Sequence, residues 1–394
     1  MSGVEGRRLS ILLLYDCVYP GSVGGVEHRN HELARSLAAR GHRVTLAGFA
    51  DAKESPMPGV EILPIGPRGR LYVDSGKRST TEALRFALAV ARMDLSPYDV
   101  VETANIPYLH LFPLATRCRI AKKPLVVTWH EHWGPYWRQY LGPVRGLAYA
   151  AVERLAVPLS RQAIAVSGFT AERVRARRGG EVPVVPGGIP LAAIRAATRE
   201  ISDPGYEEAP PLIYAGRLLR EKRIGLLLEA VAILAQALPK DSESSRPWLS
   251  ILGTGPERER LEEQARALGL AGSVRFLGHL PTSADVWRAL GRAKVAVQPS
   301  SREGFGLFPL EAMAAGLPVV YCESPESALP ELVRHGLEGI CTPSEPQALS
   351  AALAGLLGDP AARERLAQGA RERSEAYSWE ASAERLENLF LQLT

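Results

Sequence analysis

At 394 residues the chain exceeds one ordinary hydrophobic core, and domains of roughly 100 to 200 residues make two the expected number. With 46% hydrophobic and 23% charged residues it has the composition of a folded globular protein, which excludes a mainly disordered or mainly membrane-embedded chain. The formal net charge of +4 is unevenly spread: residues 1–200 carry 27 Lys and Arg against 17 Asp and Glu, the remainder 20 against 26.

The first ten residues are polar and run directly into a strand-like stretch, so no signal peptide is expected. No apolar run reaches the roughly 20 residues that cross a bilayer. Strands are then predicted over 9–15, 43–48, 60–65, 100–102, 125–128, 163–166 and 182–185, with helices over 26–40, 80–92 and 146–155. Strands alternating with helices imply crossovers, and crossovers imply a parallel sheet in an open α/β domain. Between 186 and 211 prolines, glycines and acidic residues break the period, which marks a linker. The rhythm restarts with strands over 212–215, 248–252, 274–277 and 294–298 and helices over 225–238 and 257–268, so a second α/β domain is expected. A polar insertion at 241–247 carries no signal, and from Pro360 two helices separated near Tyr377 and Ser378 form a tail. Cys17, Cys118, Cys322 and Cys341 show neither a C-x-x-C pair nor metal-ligand spacing, which suits reduced thiols in a cytoplasm.

Three strand-to-helix junctions carry chemistry. Gly21-Ser22-Val23-Gly24-Gly25-Val26-Glu27 either makes a tight turn or lets backbone N–H groups and a helix dipole approach an anion. It lacks the G-x-G-x-x-G dinucleotide fingerprint. Gly216-Arg217-Leu218-Leu219-Arg220-Glu221-Lys222 places an Arg five residues before a Lys, a pair able to clamp a diphosphate or simply to solvate a helix start. In the third, Glu303 and Glu311 bracket Gly304-Phe305-Gly306-Leu307, whose backbone could face a phosphate or sugar while Glu311, read as the first helical turn, accepts from hydroxyl groups.

Together these segments resemble the retaining nucleotide-sugar glycosyltransferases of family 4, which have the GT-B fold: two Rossmann-like α/β domains with parallel sheets facing an interdomain cleft. The resemblance rests on the E-x7-E element Glu303 to Glu311 and on Gly216-Arg217-Leu218 with Glu221-Lys222. Gly24-Gly25, Gly253-Thr254-Gly255-Pro256 and Ser378-Trp379-Glu380 add support. It implies an acceptor-side domain over 1–188, a donor-binding domain over 189–376, and a helix over 377–394 crossing back to the first domain. Arg217 and Lys222 would bind the diphosphate, Glu311 the ribose, and Glu303 would lie beside the donor sugar. Gly216 and the backbone of Gly304, Phe305, Gly306 and Leu307 would contact donor groups, Gly24 and Gly25 would approach the diphosphate, and Gly278, His279 and Leu280 fall where relatives hold the base. His130, in Thr128-Trp129-His130-Glu131-His132-Trp133, matches the family's active-site histidine.

The implied reaction moves a hexose from a UDP- or GDP-sugar to a hydroxyl on a carbohydrate, lipid or small molecule, with no metal, no other cofactor and no nucleic acid. The i, i+2 spacing of His130 and His132 matches no metal-binding helix. The aromatic residues Trp129, Trp133, Tyr136, Trp137 and Tyr140 could stack a sugar, touch a membrane or simply pack. With the basic first half they suit an anionic acceptor or peripheral association with the inner face of a membrane. Three departures from the family pattern stand out. Pro186-Gly187-Gly188-Ile189-Pro190 lacks the usual Asn and Asp, Arg223 replaces a frequent Gly, and Glu323-Ser324-Pro325-Glu326 stands where relatives often carry Gly-Gly. The competing readings are a sugar-nucleotide 2-epimerase of similar fold and a non-catalytic nucleotide-sugar-binding protein.

Overall fold

The computed structural model describes residues 7–19, 24–51, 57–69, 79–199, 210–237 and 248–394. The sequence segments Gly21 to Val23 and 241–247, and most of the second half of the expected linker, lie outside them. The chain divides into two compact units, Met1–Gly188 with Trp379–Thr394, and Ile189–Ser378.

In the first unit β1 (Ser10–Cys17), α1 (Gly25–Ala39), β2 (Arg43–Phe49), β3 (Val60–Pro64), α2 (Thr80–Val90) and β4 (Val100–Ala104) follow in order. Then come α3 (Leu111–Ile120), β5 (Leu125–Trp129), α4 (Tyr136–Leu141), α5 (Pro143–Ala156), β6 (Gln162–Ala165) and α6 (Gly168–Arg178). The strands form a six-stranded parallel sheet in the order β3-β2-β1-β4-β5-β6. Side chains alternate across it: Ile11 and Leu13 enter one core and Leu12 and Leu14 the other. Both faces are therefore buried, which is why the strands read as unbroken apolar runs rather than as alternating ones.

The second unit runs α7 (Leu191–Arg199), β7 (Leu212–Ala215), α8 (Ile224–Ala237), β8 (Leu249–Leu252), α9 (Arg258–Ala267) and β9 (Val274–Gly278). It continues through α10 (Ser283–Arg292), β10 (Val295–Gln298), α11 (Leu307–Ala314), β11 (Val319–Cys322), α12 (Leu329–Leu332), β12 (Gly339–Thr342), α13 (Pro346–Gly358) and α14 (Pro360–Ser374). Its parallel sheet has the order β12-β11-β10-β7-β8-β9, which repeats the connectivity of the first unit. In such doubly wound sheets ligands bind beyond the carboxyl ends of the strands, where the winding reverses. Those points are β1 and β4 in the first unit and β7 and β10 in the second.

The last helix, α15 (Trp379–Leu393), belongs to the first unit, where Trp379, Ala383, Leu386 and Phe390 join the core beneath α1. Its apolar residues at i, i+4, i+7 and i+11 make one helical face. Where the chain passes between units, the Ile189 N–H donates to the Tyr377 carbonyl at 2.9 Å and Ile189 pairs with Ser378 as an isolated parallel bridge.

Two sequence expectations need correction. Residues 182–185 are not a strand but a single bridge from Ala165 to Val184, because Pro183 and Pro186 lack the N–H groups a ladder needs. The segment from 186 to 211 is not all linker, since α7 forms within it, held by burial of Ile194 and Ala197.

Candidate active site

The first unit presents its candidate residues at the carboxyl ends of β1 and β5. Gly24 caps α1 with extended backbone (φ −150°, ψ 169°) and without a side-chain hydrogen bond, so the first turn of α1 begins with no side chain over it. A Cβ on Gly24 would lie 2.5 Å from the Glu27 carboxylate, so the absence of a side chain accommodates Glu27. Gly25 is the first helical residue.

His130 follows the last residue of β5, and its N–H donates to Asn105 Oδ1 at 3.1 Å. Its Nε2 is buried without a hydrogen-bond partner. Burial, reinforced by the Arg29 guanidinium, pushes the imidazole down to about 3, so it is neutral at physiological pH and can accept or donate one hydrogen bond. Beneath it Arg29 of α1 pairs with Glu102 of β4 at 2.9 Å and bonds Thr128 Oγ1 at 3.3 Å; all three residues are buried. Sequence reading did not find this pair, because a charged residue on an amphipathic helix looks the same whether it faces water or a buried partner.

The aromatic residues flanking His130 divide. Trp129 and Trp137 are core residues, whereas Trp133, Tyr136 and Tyr140 keep some exposure. Trp133 stacks on Trp137 at 4.4 Å and meets Tyr140 edge-on at 4.9 Å, a packed cluster. His132 is tied to the Glu153 carboxylate at 3.8 Å. Among the described residues no group of three His, Cys, Asp or Glu side chains is arranged to hold a metal.

In the second unit the candidate residues gather at the ends of β7 and β10. Gly216 has φ 154° and would bring a Cβ within 2.7 Å of the Tyr214 hydroxyl, which itself donates to the Arg217 carbonyl at 3.2 Å. Lys222 ends a short 3-10 turn, and its ammonium lies 2.7 Å from Glu303 Oε2. Arg223 follows in the left-handed region at φ 50°, which explains physically why a Gly would be at home there; its guanidinium reaches Ser344 Oγ at 2.8 Å. Glu303 also accepts from Gln298 Nε2 at 2.8 Å, and its backbone pairs with the 326–328 segment, including an Ala328 N–H bond of 2.8 Å. Arg302 meets Glu326 at 3.2 Å, so Glu323-Ser324-Pro325-Glu326 backs the Glu303 loop.

Gly306 caps α11 at φ 104°, and a Cβ there would sit 2.9 Å from Leu329. Leu307 therefore starts α11, and Phe305 rests against Tyr377 with ring centroids 5.9 Å apart. Glu311 is consequently in the second turn of α11, not the first. Trp287 Nε1 of α10 donates to it at 3.0 Å. Burial pushes its carboxyl up to about 7 against the lowering effect of that bond, although the residue as a whole is partly exposed. Gly278 closes β9 at φ 70°, followed by exposed His279 and partly buried Leu280. The structure thus joins Lys222 to Glu303 and adds Gln298 and Trp287, two polar partners the sequence did not single out.

The comparisons with known proteins agree with this organisation. Residues 23–193 match the family model described as Glycosyltransferase Family 4, and residues 199–373 match that of Glycosyl transferases group 1. Glycogen synthase of Mycobacterium tuberculosis is 28% identical over 404 aligned positions, covering 96% of this chain and 94% of its own length. A D-inositol 3-phosphate glycosyltransferase of Geodermatophilus obscurus is 38% identical over 190 residues, covering 46% of this chain and 40% of its own. Sucrose-phosphate synthase from Thermosynechococcus elongatus superposes with a TM-score of 0.79 at 22% identity, over 98% of this chain and 99% of that one. Anabaena HepE, solved in complex with UDP and glucose, gives 0.73 at 21% identity, over 98% of this chain and 100% of that one. Two Rossmann-like sheets of the same connectivity, each in the half matched by one of the two models, identify the chain as an enzyme belonging to family 4 of the glycosyltransferases, with the GT-B fold.

Proposed function

We propose that the protein transfers a hexose from a UDP- or GDP-sugar to a hydroxyl group on a glycan, lipid or small metabolite, with retention of anomeric configuration and without a metal. The observation that carries this reading is the Lys222–Glu303 pair at the end of β10, beside an α11 N-terminus opened by Gly306. An ammonium and a helix N-terminus are two positive elements suited to a diphosphate, and Arg217 supplies a third.

As the glycosidic bond breaks, negative charge grows on the departing diphosphate, and fixed cations stabilise that charge more than the ground state. Glu311 accepts from ribose hydroxyls once ionised, and the neutral His130 imidazole offers its buried Nε2 to a donor-sugar hydroxyl. The transition state is oxocarbenium-like, and the departing phosphate assists deprotonation of an acceptor attacking on the same face. No protein nucleophile is needed. UDP-glucose is the first donor to try, because HepE was solved with UDP and glucose and glycogen synthase is a relative over nearly the whole chain.

The reading extends to action at the cytoplasmic face of a membrane, and the exposed face of α5 is what supports contact with an anionic surface. It presents Val144, Leu147 and Leu155 at 81%, 64% and 61% exposure, with Arg145 and Arg154 beside them. Among the described residues no helix is long and apolar enough to cross a membrane.

The test is a donor panel scored for nucleotide release with and without candidate acceptors, followed by proton NMR of the product. Acceptor-dependent release and a product anomer matching the donor are expected. The opposite anomer would overturn the retaining mechanism, and interconversion of nucleotide-sugars without acceptor would overturn the donor and acceptor assignment.

A further inference from the structure

The loop that follows β5 carries His130 without regular secondary structure, so something else must fix it. Four of its backbone groups are taken by two buried side chains from elsewhere in the first unit. Asn105, at the end of β4, accepts from the His130 N–H at 3.1 Å through Oδ1 and donates from Nδ2 to the Glu131 carbonyl at 3.1 Å. Glu153 of α5 accepts from the Trp133 N–H at 2.9 Å through Oε1 and from the Gly134 N–H at 2.6 Å through Oε2. The Tyr108 hydroxyl links the two: it accepts from Asn105 Nδ2 at 3.3 Å and donates to Glu153 Oε1 at 2.6 Å. Asn105, Tyr108 and Glu153 are 0%, 2% and 1% exposed.

Burying a carboxylate is strongly unfavourable unless its oxygens are matched by donors. Glu153 is matched here by two amides, a phenol and the His132 ring 3.8 Å away, so its oxygens are satisfied by the loop it holds. Tyr108 takes up a left-handed backbone conformation (φ 54°), which is strained for a residue with a Cβ, and its hydroxyl lies between the two clamps. Gly134 closes the loop at φ 51°. Such a network over-determines the path of the chain from 130 to 134, and with it where the unpartnered His130 Nε2 is presented.

We infer that Glu153, acting with Tyr108 and Asn105, is a positioning residue for the transfer reaction: it fixes the post-β5 loop so that His130 meets the donor sugar in one orientation. This rests on the donor-sugar role proposed for His130. Glu153 itself touches no reacting atom. A group that acts only by holding another loses its effect when the other is removed, whereas a residue that merely stabilises the fold keeps it.

The experiment is a double-mutant cycle of Glu153→Gln with His130→Ala in the full-length protein. The Glu153→Gln substitution turns an amide NH2 towards backbone donors and breaks one side of the clamp. Turnover should fall about 10- to 100-fold in the otherwise native protein but less than about twofold further in the His130→Ala background. In hydrogen exchange the Trp133 and Gly134 amides should lose protection. Equal losses in both backgrounds, or native turnover in Glu153→Gln, would overturn the inference. Native turnover in His130→Ala would instead overturn the role of the histidine. Should Glu153→Gln not fold, Tyr108→Phe removes one hydroxyl and should lower turnover a few-fold, again only where His130 is present.

Discussion

At the scale of single residues, the groups that matter are those whose charge the fold has constrained. Lys222 and Glu303 neutralise each other at 2.7 Å, so the proposed diphosphate would have to compete with a carboxylate for the ammonium. Replacing Arg217 or Lys222 by a neutral residue should reduce turnover by about 10²- to 10³-fold, the usual effect of losing one stabiliser of developing charge, measured as kcat under donor saturation. Unchanged kcat in both variants would remove the clamp. Glu311 gives a pH signature. Its folded carboxyl titrates near 7 against an ordinary 4.5, so the stability it contributes is fully present below 4.5 and is lost as pH rises through about 7. In the proposed role Glu311 accepts from a ribose in its ionised form, so nucleotide binding should release a proton. Affinity should then weaken roughly tenfold per unit as pH falls below about 7, a slope that calorimetry should find absent in Glu311→Gln. These residues stood out in the sequence through motifs that resemble the family's, not through their local spacing. Their partners did not: Gln298, Trp287, Arg29 and Glu102 come from elements distant in sequence. Glu153 did leave a trace, a carboxylate on a stripe with Gly146, Tyr149 and Ala156 at helical spacing, where an apolar residue would be expected.

At the scale of elements, burial on both faces made most strands readable and left several helices unread. The strands 43–49 and 212–215 stood out because nearly every position meets a core. By contrast α6, with its run of arginines, and the short α4 owe their helical state to packing of a few residues such as Val174 and Trp137, which local period does not reveal, whereas the apolar face of α7 was hidden among the prolines, glycines and acidic residues around it. The helix α5 has the opposite character: its apolar residues Val144, Leu147 and Leu155 face outward. Their simultaneous replacement by Ser should reduce partitioning onto anionic vesicles by at least about tenfold while leaving turnover on a soluble acceptor intact. Raised salt should weaken the same binding through Arg145 and Arg154. Equal sedimentation of variant and native protein would end the membrane proposal.

At the scale of the whole molecule, the same winding occurs twice, and each sheet brings its glycine-rich turns and cations to the carboxyl ends of its strands. If guanidinium, ammonium and helix N-terminus do the work of a metal, turnover in excess EDTA should stay within about twofold of its initial value. Loss on chelation with recovery on adding a divalent ion would contradict this. The sequence by itself determined the class of fold, the position of most strands and the enzyme family. Those properties follow from local apolar runs and from short motifs whose spacing survives in one dimension. Tertiary structure alone decided that Lys222 is paired with Glu303 and that Glu311 lies in the second turn of α11 under Trp287. It also decided that the His130 loop is clamped from β4 and α5. Each of these depends on groups tens to hundreds of residues apart meeting in a medium of low dielectric, where a partner's presence or absence sets charge, orientation and energy together.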